Sequence, residues 1–183
     1  MDKLLTVLVP TYNNYELFLR VINNYIHDLR VIILVSDDSD NYVEKKSIEI
    51  FCRHNNIKYY EGPKKSAGEN WNNLIKMIST PFFVLNHHDE YPSNLNFLDF
   101  LDSKNIGLII LPCSSKVGKK AKHKIFSCQQ IFFSNICLLW PNASLNMILA
   151  PTASVIVNSS FKNVLFDSKL IWFIDADWYQ RLF

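Results

Sequence analysis

Acidic residues gather at three points of this sequence where an apolar run gives way to polar residues. The first is SDDSDN at 36–41, following VIILV. Its adjacent Asp37 and Asp38, with Ser39 and Asp40, can satisfy the free N–H groups of a helix start. Alternatively, a carboxylate there can accept the N3–H of uracil or a ribose hydroxyl. The second is LNHHDEYPS at 85–93, where two imidazoles and two carboxylates adjoin. Such groups are costly to bury without partners, because each charge loses its hydration, so the segment is either an exposed turn or a metal site. Carboxylate oxygen suits Mg²⁺ or Mn²⁺, and an imidazole shifts the balance toward Mn²⁺. Asp89 and His87 are the candidate ligands. The third is IDADWYQRLF at 174–183, with Asp175 and Asp177. Carboxylates complement the dipole of a helix start, and one that faces a cleft can serve as a general base toward a hydroxyl. Residues two apart on a helix point about 200° apart, so only one of the pair can do so.

Two further segments carry polar chemistry. GPKKSAGENWNNLIKM (62–77) joins a Gly-Pro turn to a helix, and it contains neither GxxxxGK[ST] nor GxGxxG. The common phosphate-binding loops are thereby excluded. Asn70, Trp71 and Asn72 fit a helix core and surface equally well as a site in which Asn72, Lys64 and Lys65 approach a nucleotide. KVGKKAKHK (116–124) is a basic stretch that can be a solvated loop, a diphosphate clamp or a contact with an anionic membrane surface.

Short β-branched runs at 4–9, 31–36, 57–60, 81–86 and 106–112 alternate with amphipathic segments at 15–27, 42–55, 67–78 and 94–102. This is the rhythm of βαβ units on a parallel sheet, whose strands are covered on both faces and so read as continuous apolar runs. Ligands of such sheets bind beyond the carboxyl ends of the strands, which is where PTYNN (10–14), SDDSDN and HHDE (87–90) fall. After residue 112 the rhythm breaks, with a strand expected at 153–157 and a helix from 174. The chain stops in that helix without a capping signal, which suggests that it is cut short. The expected organisation is a nucleotide-binding βαβ half at 1–112 and an acceptor-side half at 113–183, together one structural domain.

Taken in order, these segments resemble the family 2 glycosyltransferases, inverting enzymes of the GT-A fold. The resemblance rests on TVLVPTYNN (6–14), VSDDSDN (35–41) and the helix start with Gly68, Asn70 and Asn72. It continues in a strand ending at HHDE, in place of the family's DxD motif, and in Asp175 six residues before Arg181. The fold it implies is α/β, a GT-A (Rossmann-like) nucleotide-sugar-binding domain with a mostly parallel central sheet flanked by helices. Pro10, Thr11 and Tyr12 would line the nucleotide pocket, Asp38 with Asp37 would contact uracil or ribose, and Lys65 and Asn72 would lie near the nucleotide. Asp89, with His87, would hold the divalent metal, Mn²⁺ or Mg²⁺. Asp175 takes the place of the catalytic Asp; because Ile174 stands where Glu is usual, Asp177 is the second candidate. The activity implied is transfer of a sugar from a UDP-linked donor to a glycan or lipid-linked acceptor, with inversion, in cell-surface polysaccharide or glycan biosynthesis.

Two rivals share these features. A nucleotidyltransferase would carry a Gly-rich basic loop after its first strand, and PTYNNYE contains neither Gly nor Lys. A nucleotide-sugar-binding module without catalysis would account for the altered DxD motif. Nineteen Lys and Arg against seventeen Asp and Glu leave a net charge of +2, too small for a nucleic-acid footprint. The four cysteines are dispersed without a CxxC pair, which signals neither zinc nor a disulfide framework and favours a reducing compartment. The apolar run at 131–140 is about half of a bilayer span. The expectation is a cytoplasmic protein without a transmembrane span, able to touch the inner face of the membrane.

Overall fold

The computed structural model describes residues 2–101, 106–111 and 152–182, and the backbone of two short strands between the last two of these. Strands β1 (Leu5–Thr11), β2 (Val31–Asp37), β3 (Lys58–Glu61) and β4 (Phe82–Leu85) are mutually parallel in the order β3-β2-β1-β4. Their register sets Thr11 opposite Asp37 and Asp37 opposite Glu61, so three carboxyl ends open on one edge. The sheet continues through β8 (Val155–Asn158) to β5 (Leu108–Ile110), both pairings being antiparallel. Strand β5, which the sequence places next in a parallel series, is thus separated from β4 by a strand from the end of the chain. Strands β6 (Ser115–Val117) and β7 (Lys120–Lys122) form a separate hairpin within the lysine-rich stretch.

Alternation along the strands divides the core in two. Leu5, Val7 and Val9 of β1 face one side with Phe82 and Val84 of β4, where α1 (Tyr15–Ile22) and α2 (Tyr42–His54) supply Phe18, Val21, Ile48 and Cys52. Leu8, Phe83 and Leu85 face the other, against Leu74 and Ile75 of α3 (Ala67–Ile75) and Trp178 and Leu182 of α4 (Ile174–Leu182). Both faces of the parallel sheet are therefore covered, as a parallel sheet requires.

Each helix near the edge has its own start signal. Asn14 caps α1 by accepting from Leu17 N–H, Asn41 caps α2 from Val43 and Glu44, and Ser66 caps α3 from Glu69. Helix α1 stops at Ile22, short of the expected 27, because Asn24 turns its side chain onto the carbonyl of Arg20 and competes with the helical pattern. The helix expected at 94–102 is a 3₁₀ segment, Asn96–Phe100, in which Leu98 alone is buried and Phe100 is exposed. Among the described residues no helix is long and apolar enough to cross a membrane.

Candidate functional site

Polar residues beyond the carboxyl ends of β1 and β2 are laced together before any ligand is considered. Asn13, held at φ 47°, donates its N–H to Ser39 Oγ at 2.8 Å, and its Oδ1 accepts from the backbone of Asp40 and Asn41. Tyr12 donates its hydroxyl to Asp40 at 3.0 Å. Helix capping, one sequence-level alternative for this segment, falls to Asn41 and not to the carboxylates before it.

The two adjacent aspartates part company. Asp37 ends β2 on the face of Val31, Ile33 and Val35 and is fully buried, its oxygens accepting from Ser39 N–H at 2.8 Å and Tyr59 hydroxyl at 3.0 Å. Asp38 turns the other way into a cleft of about 490 Å³. Burial pushes its pKa up, against the pull of the Lys64 N–H that Oδ1 accepts at 2.8 Å. Lys64 reaches this position with φ 53°, in the turn that follows Gly62 and Pro63. Gly62 has no room for a side chain, since a Cβ there would lie 2.2 Å from Asp38 Oδ1 and 2.9 Å from Asn70 Oδ1.

Pro10, Thr11, Tyr12, Lys65 and His87 also line the cleft, together with Asp40, Ser66, Asn70, Trp71 and His88. Among the described residues, three buried polar atoms in and beneath it have no hydrogen-bond partner: Thr11 Oγ1, Ser36 Oγ and Asn70 Oδ1. Asn72, two residues further along α3, lies outside the lining. Its carboxamide clamps the backbone of Phe166 through two 2.8 Å bonds, from Nδ2 to the carbonyl and from the N–H to Oδ1.

The HHDE turn follows β4, and its two histidines, His87 and His88, line the cleft. His87 packs edge-on against Trp71, ring centroids 4.8 Å apart, and burial lowers its pKa while the charges of Asp175 and Asp89 act to raise it. Asp89 is exposed. Glu90, the second carboxylate of that turn and not one of the candidate ligands, accepts from Ala153 N–H at 3.2 Å and Thr152 hydroxyl at 3.3 Å, pinning the turn to the start of β8. Burial raises its pKa to about 7. Asn86, also unremarked in the sequence, is fully buried and accepts the Tyr25 hydroxyl at 2.6 Å.

Helix α4 buries Ile174, Trp178, Tyr179 and Leu182. At about 100° per residue, Asp175 belongs to this sheet-facing side, where its charge acts on His87, Glu90 and Tyr179. Asp177 is on the outer side and pairs with Arg181, whose Nε lies 3.0 Å from its Oδ2. Among the described residues no three His, Cys, Asp or Glu side chains converge as a metal site. Any ion at Asp89 and His87 would draw its other ligands from a diphosphate and water, the usual mode for Mg²⁺ at nucleotide sites. The side chains of the lysine-rich stretch, and Cys113, Cys128 and Cys137, lie outside the described residues. Cys52 is a buried free thiol, its pKa pushed up to about 12 by burial.

This sheet, with its cleft at the parallel edge, is the α/β architecture of the GT-A glycosyltransferases. The chain is similar in fold to S. aureus TarS 1–349 in complex with UDP, at TM-score 0.72 and 17% identity over 98% of this chain and 54% of that one. For the same protein in complex with UDP-GlcNAc the TM-score is 0.66 and the identity 18%, over 91% and 49% of the two chains. For the mannosyltransferase PcManGT from Pyrobaculum calidifontis, in complex with GDP-Man and Mn²⁺, they are 0.64 and 13%, over 97% and 51%. The chain therefore spans about half the length of these structures. No family model and no curated protein matches the sequence.

Proposed function

We propose that this chain is the nucleotide-sugar-binding part of a glycosyltransferase that moves a sugar from a nucleoside diphosphate donor to an acceptor hydroxyl with inversion. The observation that carries the reading is the continuity of one cleft from Asp38, beyond β2, to His87, which lies in the field of Asp175 on α4. Pro10, Thr11, Tyr12 and Asp38 hold the nucleoside, and Lys64 and Lys65 stand over the path of the diphosphate. Asp37 and Asn72 support this site from behind, through the bonds that fix the ends of β2 and α3.

In the proposed reaction Asp175 takes the proton of the acceptor hydroxyl as that oxygen attacks the anomeric carbon. The bond from that carbon to the diphosphate breaks, and the departing oxygen keeps the electron pair. Lys64 and Lys65 offset the charge that develops there. A divalent ion at Asp89 and His87, of the kind PcManGT was solved with, would neutralise part of the same charge when bound. The acceptor is a glycan or lipid-linked sugar of cell-surface polysaccharide synthesis. The enzyme works in the cytoplasm, with the lysines at 116–124 touching the inner face of the membrane.

Release of nucleoside diphosphate from a panel of nucleotide sugars, measured with Mn²⁺ in the full-length protein, tests the assignment. Asp175→Asn lowers turnover by about a hundredfold or more with nucleotide affinity intact, and Asp177→Asn is mild. Loss of turnover in Asp177→Asn alone moves the base to Asp177. No release from any donor leaves the rival reading, a binding module that has lost catalysis.

A further inference from the structure

Helix α4 carries the proposed base in its first turn, and the chain enters that helix exposed. Ile171, Trp172 and Phe173 are 83%, 80% and 72% exposed, and Phe173 stands at φ 59°, in the left-handed region that bulky residues rarely adopt. The place of Asp175 is set instead from within the helix, where Ile174 before it and Trp178 one turn after it are buried. Ile174 contributes apolar burial, which has no direction. Trp178 lies on the same side of the helix as Asp175, three residues on, and is 1% exposed. Its indole N–H, which only donates, reaches the carbonyl of Val164 at 2.7 Å.

The segment that receives this bond, residues 164–166, is itself fixed from the nucleotide side. Asn72 of α3 takes both backbone groups of Phe166, at 2.8 Å each. At the start of the same helix a Cβ on Gly68 would lie 3.1 Å from Ser168 Cα, so α3 and this segment pack backbone to backbone. The rings continue the connection. Trp178 stacks on Phe166 with centroids 4.4 Å apart, and Phe166 meets Trp71 edge-on at 4.8 Å. Trp71 lines the cleft and meets His87 at 4.8 Å. Contacts thus run without a gap from the wall of the nucleotide cleft to the helix that carries Asp175. Aromatic pairs favour particular offset and edge-on geometries, so this set resists rotation as well as separation. Arg181 adds a second tie from α4, its guanidinium donating to the carbonyl of Leu165.

We propose that Trp178 is a positioning residue for the transfer: through Val164 and Phe166 it fixes the base on α4 relative to the nucleotide site that α3 lines. The inference rests on the glycosyltransferase reading above and on Asp175 as the base. Misplacing a reacting group by about 1 Å costs up to about a hundredfold in rate, and loss of the indole bond alone should cost part of that. Trp178→Phe in the full-length protein tests it, because a ring stays against Phe166 and the donor is removed. With UDP-GlcNAc and GDP-mannose as donors, kcat for release of nucleoside diphosphate should fall about tenfold, while the Kd of UDP and GDP by calorimetry stays within about twofold. Arg181→Ala, which cuts the more exposed tie and stands in if Trp178→Phe does not fold, should lower kcat about threefold. The Asp175→Asn background separates positioning from a merely structural role. There either substitution should lower kcat by less than about twofold further, because the group to be positioned is already lost. An unchanged kcat in the single variants, a Kd that rises in step with the loss, or the full loss repeated in the Asp175→Asn background overturns the proposal and leaves the transferase reading standing. No release by the unsubstituted protein from these or any other nucleotide sugar overturns both.

Discussion

Gly62→Ala probes the geometry of the cleft floor with a single methyl group. The added Cβ would sit 2.2 Å from Asp38 Oδ1, 2.8 Å from its Cγ and 2.9 Å from Asn70 Oδ1, all inside van der Waals contact. Asn70 cannot retreat while its amide holds Ser36, so Asp38 must rotate and surrender the 2.8 Å bond from Lys64 N–H. A hydrogen bond to a charged group contributes about 1.5–3 kcal/mol, and overpacking costs about 1–3 kcal/mol where the neighbours cannot relax. Since the rotation relieves part of the clash, the expected loss is about 2–3 kcal/mol, or about 4–12 °C in melting temperature for a chain of this size. Nucleotide affinity should fall with it, by about tenfold or more. Gly107→Ala is the control, because its Cβ would meet the Phe161 ring at 3.4 and 3.7 Å, ordinary contact distances. Urea denaturation and calorimetry on both variants supply the readings. If Gly62→Ala is as stable as Gly107→Ala and binds nucleotide like the unsubstituted chain, Asp38 does not occupy the place described here.

Asn72→Ala should destabilise the chain by about 2–4 kcal/mol in urea denaturation, since it leaves the buried N–H and carbonyl of Phe166 without partners. Nucleotide affinity of the folded fraction should stay within about twofold. Tyr59→Phe should cost about 1–3 kcal/mol by removing a donor from buried Asp37. Glu90 governs a pH dependence. Its pKa is raised from 4.5 to about 7 in the folded chain, so the folded state binds the extra proton and its stability falls as pH rises from 4.5 to 7. The total loss is about 3 kcal/mol. Glu90→Gln should therefore flatten that fall, gaining on the unsubstituted chain as pH rises; denaturation in EDTA at pH 4.5, 6 and 7.5 checks the trend.

Much of the fold is legible because apolar runs such as TVLV and VIILV can be satisfied only inside a sheet covered on both faces, and strands β1 to β4 fall where those runs stand. The insertion of β8 between β4 and β5 is not legible. A three-residue strand such as Leu108–Ile110 satisfies its hydrogen bonds beside either neighbour, and the chain's path decides which. The 3₁₀ segment at Asn96–Phe100 escaped for a related reason, since one buried leucine does not enforce a helical period. Within the site, Asp38 is legible from its place after β2, while its division of labour with Asp37 needs strand parity. Val31, Ile33 and Val35 share one face with Asp37, which assigns Asp37 to the core and Asp38 to the opposite side. The roles of Asn70 and Asn72 are not separable in sequence. Both are buried on α3, and only the partner of each amide, the carbonyl of Ser36 for one and the backbone of Phe166 for the other, distinguishes them. Asp175 and Asp177 differ by the face of α4, which becomes readable once Ile174, Trp178 and Leu182 are known to mark the buried stripe.

The central claim is that the cleft beyond β1 and β2 binds a nucleoside diphosphate through Asp38. Equilibrium dialysis with labelled GDP and UDP, on the unsubstituted chain and on Asp38→Ala, tests it most directly. The account predicts saturable binding of at least one nucleotide, weakened about tenfold or more in Asp38→Ala, because the base loses a half-buried carboxylate acceptor. Absence of binding, or an affinity that the substitution leaves unchanged, would contradict it.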